Sequence, residues 1–100
     1  MKFRINKEEK ELVMKFQNMR IPSLFKTDNT DRILFVEDVS FFIVKLLLKG
    51  RKISKTLYDE TMVDYERFVI NTDVSKLDEY TLEYFNTCIQ VMETIKKYYL

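Results

Sequence analysis

The stretch "RILFVEDVSFFIVKLLLKG", residues 32–50, decides the fold class. Ile33, Leu34, Phe35 and Val36 form a contiguous apolar run, which is a pattern of a buried strand. Such a strand could pair with the alternating "KFRI" at 2–5, giving an α+β fold with a short two-stranded sheet. Taken instead at helical spacing over about 32–49, the segment gathers Glu37, Asp38, Lys45 and Lys49 on one narrow strip, and the rest of its circumference is apolar. That is the profile of a central helix buried on most sides. In either reading a helix covers 38–49 and Gly50 ends it. The helical reading is preferred, and the expected fold class is all-α: a small antiparallel bundle of three or four helices.

Outward from this segment the helical signals are clearer. Asn6 and Glu9 have the spacing of a reciprocal helix cap, and Leu12, Val13, Phe16 and Met19 follow at helical intervals, predicting a helix over about 7–20. Pro22 bars its continuation. Ser54 is a favourable N-cap for a helix over about 55–70, with an inward stripe of Leu57, Thr61 or Met62, Tyr65, Phe68 and Val69. "INTDVS" (70–75) is the next break, and Ser75 with Asp78 repeats the capping spacing. The last helix is predicted over about 76–99. Its residues Leu77, Thr81, Tyr84, Cys88, Val91, Ile95 and Tyr98 step by four and three as a heptad seam. Phe85, Ile89, Met92 and Tyr99 make a second stripe beside it.

Composition limits the chemistry. The 100 residues suit one domain, 1–100, and the 46% hydrophobic content supports a packed core. Without any His, the chain lacks the commonest general base and metal ligand. A single Gly rules out a glycine-rich phosphate loop. The lone Cys88 can form no disulfide within the chain, has no His to activate it, and falls on the apolar seam, so it is expected in the core. "DNTD" (28–31) lacks the later Gly and Glu of a calcium loop. Carboxylates at Asp59, Glu60 and Asp64, and at Asp78, Glu79 and Glu83, are spaced as solvated helix faces. No cofactor, metal or small-molecule substrate is inferred, and the expectation is a protein that is not an enzyme. The N-terminus has no signal-peptide core, and the longest apolar run, "VSFFIVKLLL" (39–48), falls short of a membrane span, so a cytoplasmic location is expected.

Two surfaces remain as candidates. "VKLLLKGRKISK" (44–55) carries five positive charges and no negative one. It invites a nucleic-acid reading through Arg51 and Lys52 in the basic segment 45–55. The following helix opposes that reading: Asp59, Glu60, Asp64 and Glu66 against Lys55 and Arg67 would be repelled from a phosphate-lined groove. Cations near a helix C-terminus, and Lys55 paired with Asp59, explain the charges more economically. The second surface is aromatic. Tyr80, Tyr84, Tyr98 and Tyr99 all lie on the last helix. Tyrosine suits interfaces because it buries area and keeps a polar tip. The expected function is therefore docking to a protein partner as an inhibitor, immunity factor, adaptor or assembly component. The four tyrosines are the expected contacts, with a homodimer along the heptad seam. The alternative is a nucleic-acid-binding regulator.

Overall fold

The structure is a computed structural model that describes residues 5–23, 25, 39, 44, 48–49 and 53–99. Among them the chain is all-α, with no strand. Three α-helices have both ends among the described residues, α1 (Lys7–Asn18), α2 (Lys55–Ile70) and α3 (Glu79–Tyr99), with a 3₁₀ turn at Val74–Lys76 before α3. The expected helix over 32–49 lies largely outside the described residues. So do 2–4 and 33–36 of the strand alternative, the 28–31 loop, Gly50, Arg51 and Lys52. Val39 and Val44, which are described, are fully buried.

Local chemistry sets the helix ends. The Asn6 side chain accepts from the Glu9 N–H at 2.8 Å, and the Glu9 carboxylate accepts from the Asn6 N–H at 2.9 Å, so two orphan donors are satisfied reciprocally. The helix stops at Asn18, whose carbonyl is the one the Pro22 ring would strike if the helix continued. The Ser54 hydroxyl accepts from the Leu57 N–H at 3.1 Å and starts α2. The expected pair forms just inside this helix, with Lys55 Nζ 2.7 Å from the Asp59 carboxylate.

The start of α3 corrects the capping spacing taken from Ser75 and Asp78. Ser75 sits inside the 3₁₀ turn, where its N–H and hydroxyl both donate to Asp73. Asp78 is itself the cap, accepting from the Thr81 N–H at 2.7 Å, and α3 begins at Glu79 rather than 76. Aspartate is short enough to reach a backbone N–H two or three residues ahead, so each of the two aspartates captures its own turn. Between them Leu77 is extended (φ −84°, ψ 138°), which separates the turn from the helix.

α3 is central among the described helices. It contributes nine buried residues, against three from α2 and two from α1. α1 packs closely along α3 and runs antiparallel to it: Glu9 meets Lys97 near one end and Lys15 meets Glu83 toward the other. α2 also runs antiparallel to α3, reaching it through large side chains. Tyr58 stacks on Tyr99, with ring centroids 3.8 Å apart and planes 8° from parallel, and Phe68 meets Phe85 with ring centroids 5.3 Å apart.

The interior is threaded by aromatic contacts that join all three helices. Tyr84 touches Phe16 at 5.3 Å and Phe25 at 5.9 Å between centroids, and Phe25 meets Phe68 edge-on at 5.1 Å. These separations lie in the range where tilted aromatic pairs gain beyond simple burial. Thr81, Tyr84, Cys88, Val91 and Ile95 of the heptad seam are all buried within the chain. Phe85 and Met92 of the second stripe are buried as well, and Ile89 and Tyr99 are half-buried against the same core. α2 turns Thr61, Tyr65 and Phe68 inward as expected, whereas Val69 lies at the surface.

Candidate functional site

α1 and α3 do not simply end side by side. Past Asn18 the chain leaves α1 through Met19 in an extended conformation (φ −73°, ψ 141°) and passes Arg20, Ile21, Pro22 and Ser23. On the other side, Lys76, Leu77 and Asp78 lead into Tyr80 and Thr81 on the first turn of α3. Together these two segments wall a groove with a cavity volume of about 590 Å³. The Tyr80 hydroxyl ties the walls together, donating to the Arg20 carbonyl at 2.6 Å. Tyr80 is nevertheless 42% exposed, so a substantial part of its surface is open to solvent.

The polar groups of the groove divide into committed and uncommitted ones. Asp78 is committed to the Thr81 N–H, and that hydrogen bond, with a second from the Thr81 side chain, holds its carboxyl below the ordinary range. Arg20 is exposed, and no described carboxylate pairs with it. Lys76 is 3.9 Å from Asp73, with both side chains largely in solvent, a contact of little strength. Ile21, Pro22 and Leu77 supply apolar surface, with Pro22 buried and the other two half-buried.

The four tyrosines expected to form one surface are dispersed. Tyr84 is 1% exposed in the aromatic core and has nothing to offer a partner. The cover is long-range, from Phe16 and Phe25. Tyr98 donates its hydroxyl to Glu9, which also accepts from Lys97 Nζ at 3.1 Å, clasping the start of α1 to the end of α3. Partial desolvation alone would raise the Glu9 pKa. The hydrogen bonds from Tyr98, the Asn6 backbone and Lys97 outweigh it and hold the carboxyl below its usual value. The same bond to Glu9 raises the pKa of Tyr98 and of Lys97. Tyr99 is engaged by Tyr58. Only Tyr80 of the four stands exposed. It lies about 27 Å along the helix axis from Tyr98, at 1.5 Å per residue.

Of the other candidates, Cys88 is fully buried, and desolvation pushes its thiol well above the ordinary range, the opposite of an activated nucleophile. Among the described residues no group of three or more Cys, Asp or Glu is placed to hold a metal ion, and no helix is long and apolar enough to cross a membrane. α2 exposes Asp59, Glu60 and Glu66, as expected, while Asp64 is half-buried. Arg51 and Lys52 lie outside the described residues.

Arg20, Ile21 and Lys76 of the groove were not indicated by any motif, Pro22 was read only as a helix stop and Leu77 only as part of the heptad seam. The only sequence signals near it are Pro22 and the closely spaced aspartates, which mark where the chain bends. Comparison with protein-family models, with curated proteins and with solved structures finds no match to this chain.

Proposed function

We propose that the chain is a non-enzymatic helical protein that works by docking to another protein, in an inhibitory, immunity, adaptor or assembly role within the cytoplasm. The observation that carries this reading is the exposed Tyr80 ring on the wall of a groove with apolar surface at the corner between α1 and α3. A tyrosine held by its hydroxyl but partly open to solvent presents contact area at little further entropic cost, because the hydrogen bond to Arg20 already restrains it. The composition supports docking over catalysis: a chain with no His, one buried Cys and one Gly has few of the usual parts of an active site. Most seam residues of α3 are buried within the chain, and the exposed Tyr80 beside the groove is the surface on which this reading rests.

The test is native capture from host extract by the tagged chain and by its Tyr80→Ala variant, each with and without nuclease. The docking reading predicts a stoichiometric protein that survives nuclease and is lost with Tyr80→Ala. Recovery only of nucleic acid, or of proteins that disappear with nuclease, would replace it with the nucleic-acid reading of residues 45–55. A partner retained by Tyr80→Ala would move the surface away from the groove.

A further inference from the structure

Resting on that docking reading, we propose that the groove between Arg20–Ser23 and Lys76–Thr81 receives an acidic segment of the partner, one that carries an aliphatic or aromatic side chain flanked by carboxylates. The argument is one of charge complementarity. The walls hold two cations, Arg20 and Lys76, and a single carboxylate, Asp78. Asp78 caps α3 through the Thr81 N–H and stays ionised, so its negative charge sits against the positive end of that helix. The capped N-terminus of α3 therefore adds little attraction for an anion; the lining keeps one net positive charge, with Arg20 as its main source because Lys76 also lies 3.9 Å from Asp73. Both are exposed, so an incoming carboxylate can meet them at the edge without the cost of burying a charge. Ile21, Leu77 and the Tyr80 ring give the same segment an apolar surface to cover. An acid-flanked apolar side chain satisfies both halves of this lining. A lysine-rich segment would face Arg20 and Lys76, and a second copy docking the same groove face to face would set these cations against themselves.

The experiment titrates the full chain with two fluorescein-labelled peptides of equal length, one alternating glutamate with leucine and the other lysine with leucine, read by anisotropy. The acidic peptide should bind at least about tenfold more tightly, with an affinity that falls as salt is raised. Arg20→Glu combined with Lys76→Glu should abolish that preference. The milder pair Arg20→Gln and Lys76→Gln should weaken it, and circular dichroism checks that each variant keeps its helix content. Equal binding of the two peptides, preference for lysine, no binding of either, or unchanged acidic binding by the folded variants would each overturn the proposal. A partner that cross-links at the groove through a neutral or basic segment would overturn it too, while leaving the docking reading in place.

Discussion

Thr61 offers the sharpest test of the packing. It is fully buried on α2, and its hydroxyl has no hydrogen-bond partner among the described residues. Other threonines of the described helices behave differently: Thr87 and Thr94 donate to the carbonyls four residues back, at 2.7 and 3.0 Å. A buried hydroxyl without a partner costs roughly 1–3 kcal/mol, because its hydration is lost and nothing replaces it. Thr61→Val swaps that hydroxyl for a methyl of similar size, at nearly equal helix propensity. The variant should therefore be more stable by about 1–2 kcal/mol, which for a chain of this size raises Tm by roughly 5–10 °C. Thr61→Ser does the reverse: it keeps the hydroxyl, removes a buried methyl, and should lose about 1 kcal/mol. Equilibrium urea unfolding measures both, with the slope checked for constancy so that the midpoint reports stability. A Val variant no more stable than the parent would refute the reasoning, since it would mean that the hydroxyl has a partner in solution.

The caps before α3 separate by mutation: Asp78→Ala should cost roughly 1 kcal/mol by thermal unfolding, whereas Ser75→Ala should stay within about 0.5 kcal/mol. The Glu9 clasp predicts a pH dependence. Because the Glu9 pKa is lowered in the fold from its ordinary 4.5, the clasp stabilises fully above that value and is lost as the pH falls through the lower folded one. Lys97 and Tyr98 are raised, so their share is present below about pH 10 and is lost as the pH rises through their folded values. Glu9→Gln should accordingly flatten both limbs of a plot of stability against pH, and unchanged limbs would remove the clasp from the account. Cys88 should react with a thiol reagent only at the rate at which the chain opens, so labelling in native buffer should be slow and should accelerate with urea in step with unfolding.

What the sequence reveals about this fold is what local chemistry decides. Ser54 and Asn71 bracket a helix whose predicted ends, 55 and 70, are those observed, because the cap hydroxyl and the apolar stripe lie within a few residues of each other. Asn6 with Glu9 is equally local. The heptad seam is legible as a shared face, since its spacing places Thr81, Tyr84, Cys88, Val91 and Ile95 on one side of α3. The pattern does not say what covers that face. The cover comes from Phe16 and Phe25, about 60 residues away in sequence, and it turns an apparent partner surface into core. The displaced start of α3 has a different cause: two aspartates five residues apart are both competent caps, and the spacing of Ser75 to Asp78 fits a third arrangement equally well. The groove is harder still to read, because its walls come from the end of one helix and the approach to another and no single stretch encodes it.

The docking surface is tested most directly by placing a photo-activated cross-linking residue at position 80, with position 63 on the exposed face of α2 as the comparison, and irradiating each in host extract. The account predicts a single protein adduct from position 80 and none from position 63. An adduct from position 63 alone, or nucleic acid as the only cross-linked species, would contradict it.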